Sequence, residues 1–134
     1  IVFNHGIGVV LVYYLHFLNK IVYRDLFLIE LPFISTRFTE GPSPPEQIMS
    51  LIDFMLQEHN FYKAVFIGHS YGTFVVSWCV KFIPQLVHSV FLIDPVCLLL
   101  SFPTTCYTFV YAKAMEPVDY IRHIFVSSEL NVVG

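Results

Sequence analysis

With 134 residues, the chain has room for one domain and a core of its own. It is 56% hydrophobic and only 13% charged, with a mean hydropathy of +0.68. Average soluble domains carry about 25% charged residues, so this composition describes a core-heavy piece, cut from something larger or acting on apolar ligands. The net charge of -3, the pI near 6.0 and the lack of any basic run exclude an electrostatic footprint for nucleic acid and charge-driven docking on an anionic membrane.

A membrane-spanning helix needs about 18 apolar residues in a row. His16 and Asn19 break one candidate stretch, and Asp94-Pro95 breaks another. Residues 96–111 carry no charge but are interrupted by Ser101, Pro103 and threonines. Peripheral membrane association therefore stays open, as does the oligomeric state. The first residues, "IVFN", have neither an initiator Met nor the basic start of a signal peptide, so the expectation is a truncated segment. Cys79, Cys97 and Cys106 make neither a CxxC motif nor an even framework. They read as buried free thiols, and an intracellular or membrane-associated setting is favoured.

Along the chain, residues 1–3 form a short apolar run that enters "NHGIG", a strand running into a glycine loop. Residues 9–19 are long enough for a buried helix. A second strand spans 25–31 and stops at Pro32, and 32–45 is a loop. Ser43 is placed to cap a helix starting at Pro44-Pro45, with Glu46 in its first turn. Ile48, Leu51, Ile52, Met55 and Leu56 fall on one helical stripe. Residues 63–69 form a third strand, 71–83 a helix closed by Pro84, and 88–94 a fourth strand ending at Asp94-Pro95. The remainder reads as helices and loops. The order βαβαβαβ with near-continuous apolar strands predicts an α/β fold, a parallel sheet covered on both faces with right-handed crossovers.

"FIGHSYG", residues 66–72, places Ser70 between Gly68 and Gly72 where a strand passes directly into a helix. A serine in so sharp a turn takes a strained backbone conformation, and side chains two residues to either side would collide. The helix start behind Ser70 offers free N–H groups and a positive dipole end to a developing oxyanion. "HGIG", residues 5–8, ends the first strand. It is either a tight turn built on Gly6 and Gly8 or the source of a second oxyanion donor, the Ile7 amide, beside the Tyr71 amide.

These motifs resemble the α/β-hydrolase family. "FNHGIG" is similar to its oxyanion loop, "FIGHSYG" to its nucleophile elbow and "FLIDPV" to the end of the strand after the elbow helix. Within the family the chain looks most like lipase- or esterase-like proteins of a eukaryotic and algal type. The resemblance implies a partial α/β-hydrolase fold holding the central parallel strands three to six, adjacent in the order 4-3-5-6, with flanking helices. It also implies a truncated core over residues 1–95 and the beginning of a helical cap over 96–134.

A serine nucleophile needs a base and an acid, which in this family follow it in the chain. His5 and His69 lie in the two turns and are expected to shape them. His16, His59 and His88 lie before the elbow or at the far end of a strand, and His123 falls in the expected cap. The base is therefore expected beyond residue 134. Asp94 is a candidate acid, since some branches place the acid after this strand; Asp-Pro is also an ordinary turn. Glu116, Asp119 and Glu129 read as solvated cap residues, and Glu30 as a loop support. No metal-ligand spacing, cofactor motif or phosphate loop is present. The expected activity is hydrolysis of lipophilic carboxylic esters by Ser70, with the 134-residue chain alone inactive. An acyltransferase and a non-catalytic binding or scaffold protein are the alternatives.

Overall fold

The computed structural model describes residues 1–8, 11–21, 25–35, 37 and 41–111. The expected cap residues from 112 onward, His123 among them, lie outside the described residues. Four parallel strands, β1 (Val2–Asn4), β2 (Phe27–Ile29), β3 (Ala64–His69) and β4 (Val87–Ile93), form one sheet in the order β2-β1-β3-β4. This is the expected order of adjacent strands. The register pairs Asn4 with both Ile29 and Gly68, and His69 with Ile93, so all four carboxyl ends meet at one edge. In a parallel sheet that edge is where connections leave room for a site.

Successive residues of a strand face opposite sides, and the core divides accordingly. Val2 and Phe66 pack with α2 (Pro45–Glu58) and α3 (Gly72–Phe82), meeting Ile52, Leu56, Val75 and Val76. Phe3 and Ile67 point the other way, onto Leu18 of α1 (Leu15–Ile21). Beyond β4 come two short helices, α4 (Val96–Leu99) and α5 (Pro103–Tyr111). No helix among the described residues is long and apolar enough to cross a membrane.

Four expectations need correction. Over its described residues, 11–19, the stretch expected to be a buried helix is not one: a 3-10 turn over Leu11–Tyr14 leads into α1, and Leu18 is the one buried side chain among those described. Only one side of this element meets the sheet, so Val12, Tyr13 and Leu15 face outward. Ser43 does not cap α2. Pro44, held extended at φ -57° and ψ 145°, occupies the cap position and no side chain bonds there; with Pro45 at the first helical position, one orphan donor is already missing. Leu51 is exposed, and Met49 takes the buried place beside Ile48 and Ile52. Finally, β4 is not covered on both faces. α3 reaches it and Val87 packs on the α3 side of the core, but most of the strand is uncovered, and Phe91 is 59% exposed.

Candidate active site

Ser70 has φ +51°, the left-handed region that L residues other than Asn and Asp seldom enter. Three bonds hold it there. Its N–H donates to Ile93 O at 2.9 Å, tying the turn to the end of β4. Its carbonyl accepts the Thr73 N–H at 3.0 Å and the Thr73 hydroxyl at 2.6 Å. The Thr73 oxygen in turn accepts the Cys97 N–H at 3.3 Å, linking the elbow to the start of α4. Strain of this kind persists only where surroundings over-determine it.

The flanking glycines are there because there is no room for anything else. A Cβ on Gly68 would lie 2.6 Å from Gly72 O and 2.9 Å from Thr73 Cα. One on Gly72 would run into Asn4 O and lie 2.6 Å from Asn4 C and 2.9 Å from His5 O. The start of α3 therefore rests directly on the backbone of the HGIG loop. Gly6 closes the contact from the other side, where a Cβ would stand 2.9 Å from His69 Nδ1 and 3.0 Å from Ser70 Cβ.

His5 sets the loop's orientation. It is completely buried, its Nδ1–H donates to Gly6 O at 2.8 Å, and its Nε2 accepts the Leu31 N–H at 2.9 Å. Desolvation lowers its pKa below the usual 6.5, against smaller opposing effects of the Gly6 carbonyl and Glu30. The ring is therefore a neutral strut. In a trans peptide the C=O and the next N–H point in opposite directions, so anchoring Gly6 O inward turns the Ile7 N–H away from His5. Gly8 has φ +71°, and its N–H donates to Ile34 O at 2.8 Å. Among the described residues neither the Ile7 nor the Tyr71 amide makes a hydrogen bond. Tyr71 opens α3 with helical backbone angles, and its side chain packs on Phe33 and Phe74.

The structure thus brings the HGIG loop and the elbow together. Asp94 joins them at the end of β4, also at positive φ, +47°. Its carboxylate is 83% exposed and approaches His69 Nε2 at 3.6 Å, while its carbonyl accepts the Val96 N–H at 2.8 Å in the Asp-Pro turn. The other described histidines lie elsewhere: His59 ends α2 against Phe27, His88 sits beside Ser89 at the start of β4, and His16 is in α1. Glu30 pairs with Arg37 at 2.7 Å. Among the described residues no group of His, Cys, Asp and Glu could hold a metal. Cys79 is buried, and desolvation pushes its thiol up to about 12.

Sequence reasoning passed over Tyr14 and Thr73. Tyr14 Oη lies 3.0 Å from Gly6 N and 2.8 Å from His69 Nδ1. With Phe3, Phe17, His69 and Ile93, Tyr14 lines a recess of about 250 Å³ on the α1 side of the sheet. A threonine three residues after the nucleophile was a readable signal, because its hydroxyl can reach back one helical turn.

Scanned against known protein families, the chain matches none. Curated protein sequences likewise give no match. Among solved structures it is similar to an extracellular α/β-hydrolase from a Paenibacillus species, described as sharing structural and functional homology with tobacco salicylic acid binding protein 2. The TM-score is 0.56 at 16% sequence identity, over 91% of this chain. The chain spans 57% of the length of that protein. Likeness at this identity speaks to fold alone: a four-stranded parallel sheet flanked by helices, matching the fold of an α/β-hydrolase.

Proposed function

We propose that the protein is a serine hydrolase of carboxylic esters in which Ser70 is the nucleophile. One observation carries the reading: the serine holds φ +51° between a strand and a helix, on glycines whose replacement would strike backbone. A fold stores such strain where it exposes a reactive side chain. Ser70 Oγ attacks the acyl carbon, and its proton passes to a base and then to the departing alcohol. The Ile7 and Tyr71 amides face the oxyanion that forms, with the start of α3 adding its dipole. Water then releases the acyl group. The base is placed outside the described residues, and α4 and α5 begin a cap. The exposed Leu98, Leu99, Leu100 and Phe102 favour lipophilic esters.

In the whole protein, a fluorophosphonate probe is expected to label Ser70, as mapped by mass spectrometry, and Ser70→Ala is expected to abolish both labelling and ester turnover. Labelling that ignores Ser70→Ala defeats the reading. The 134-residue chain alone is expected to show no ester turnover above its Ser70→Ala control.

A second reading, a binding or scaffold protein without turnover, draws on the pairing of His69. Among the described residues, that imidazole beside Ser70 faces Tyr14 and Asp94. Retained esterase activity in the whole protein decides between the two, and acyl transfer to an acceptor other than water would appear as a product ester in the same assay.

A further inference from the structure

We propose that Tyr14 and His69 are positioning residues that clamp the HGIG loop to the nucleophile elbow and to Asp94, an inference that rests on the reading of Ser70 as nucleophile. The chain of contacts is short. The Gly6 N–H meets Tyr14 Oη at 3.0 Å, Tyr14 Oη meets His69 Nδ1 at 2.8 Å, and His69 Nε2 faces Asp94 Oδ2 at 3.6 Å.

Proton positions follow from the partners. A carboxylate accepts and cannot donate, so the imidazole carries its proton on Nε2, toward Asp94, leaving Nδ1 as an acceptor. Tyr14 then donates its O–H to Nδ1 and takes the Gly6 N–H on a lone pair. In that tautomer each group has a partner it can bond, and the hydroxyl serves two segments far apart in sequence. The tyrosine ring is held independently, against Phe3 at 4.9 Å and edge-on to His69 at 5.6 Å.

The clamp acts on the loop's orientation. Gly6 is gripped on both sides, with its N–H on Tyr14 and its C=O on His5 Nδ1–H at 2.8 Å. Those two bonds fix the planes of consecutive peptides, and the second of them carries the Ile7 N–H. Because His69 adjoins Ser70, a tyrosine that ties Gly6 to His69 also sets the distance between the Ile7 amide and the nucleophile. The close approach of Gly6 to the His69 ring, which admits no Cβ, is the space this arrangement uses.

Tyr14→Phe removes the hydroxyl and keeps the ring. Tyr13→Phe, at a neighbouring residue that is 75% exposed, is the control. In the whole protein, imidazole nitrogen NMR should find His69 protonated on Nε2 with Nδ1 accepting, and the Gly6 amide should be slow to exchange. In Tyr14→Phe the His69 signature should change and Gly6 exchange should accelerate. Ester kcat and the rate of Ser70 labelling should fall ~10- to 100-fold, the scale of a small misplacement of reacting groups. KM and the melting midpoint should hold, and Tyr13→Phe should change nothing. His69→Asn, which keeps an acceptor near the place of Nδ1, should retain more activity than His69→Ala. A His69 proton on Nδ1, or a Tyr14→Phe variant with the kcat and Gly6 exchange of the control, overturns the proposal. If Ser70 never labels while the NMR signatures respond as expected, the clamp stands and the nucleophile reading fails.

Discussion

Replacing Gly72 with Ala tests how tightly the elbow is built onto the HGIG loop. The new Cβ would meet Asn4 O, Asn4 C at 2.6 Å and His5 O at 2.9 Å, all backbone atoms of β1 and the loop after it. Ordinary contact between carbons is about 3.5 Å, so α3 and β1 must separate by about 1 Å. No side chain can swing aside to absorb that movement. Val75 and Val76 follow in the same helix, both completely or almost completely buried against the sheet, and would lose contact as the helix moves. Overpacking costs about 1–3 kcal/mol, and a clash with backbone alone belongs at the upper end, about 3 kcal/mol. Set against a total stability of about 5–15 kcal/mol, this is a large fraction.

Urea unfolding followed by far-UV circular dichroism measures it. With a denaturant slope of about 2 kcal/mol/M, the midpoint should fall by about 1.5 M. Ser70 labelling should be lost as well, since the same movement withdraws the Tyr71 amide and the nucleophile from the loop. Gly6→Ala should be milder in stability, because its nearest contacts are side-chain atoms of His69 and Ser70. A Gly72→Ala protein with the parent midpoint and labelling rate would refute the claim that α3 sits on the HGIG backbone.

Two further outcomes follow from the site. Ser70→Gly should be more stable than Ser70→Ala by about 0.5–1 kcal/mol, the relief of the left-handed backbone (about 1–2 kcal/mol) less the added freedom of glycine in the unfolded chain; equal denaturation midpoints would show that the turn stores no strain. Burial lowers the pKa of His5, so the unfolded chain gains a proton as the pH falls through 6.5 while the native ring stays neutral. Its stability contribution is therefore present above 6.5 and lost as pH falls below it, at up to about 1.4 kcal/mol per pH unit. Denaturation midpoints at pH 5 and 7.5 should differ more in the parent than in His5→Asn, and equal differences would show that His5 does not carry this effect.

How much of this was legible in the sequence depended on whether a residue's role was local. Ser70 and its glycines were readable because the elbow is a strand, a turn and a helix within twenty residues. The parallel order followed from apolar runs separated by helical ones. Coverage of β4 was not readable, since "HSVFLID" has the same apolar character whether or not something lies over it. Tyr14 was not readable either. Tyr13 and Tyr14 are adjacent and chemically identical, and helical phase alone decides which turns inward. A 3-10 turn over Leu11–Tyr14 advances more per residue than an α-helix, so a 3.6-residue count across 9–19 loses the phase there. Leu51 differs in that the period was right and only the centre of the stripe was off. At the first turns of α2 the buried stripe runs through Met49 and Ile52, and the apolar residue at 51 lies on its outer side.

Asp94 shows why proximity and role must be argued separately. Its placement at the end of β4 followed from the sequence, and the structure adds the imidazole at 3.6 Å and a backbone at φ +47°. An exposed pair at that distance contributes little to stability, about 0–1 kcal/mol, so the ion pair does not explain the left-handed backbone of Asp94. The Asp-Pro turn accounts for the main chain, through the Val96 N–H on the Asp94 carbonyl, but leaves the carboxylate uncommitted. A carboxylate has two oxygens and about four lone-pair positions. Oδ2 facing His69 leaves Oδ1 for another donor, so orienting His69 and orienting a catalytic base are compatible tasks for one side chain. That gives the arrangement a use in either case: with Asp94 drawn toward His69, and His69 held by Tyr14, the carboxylate is kept at the same strand edge as Ser70.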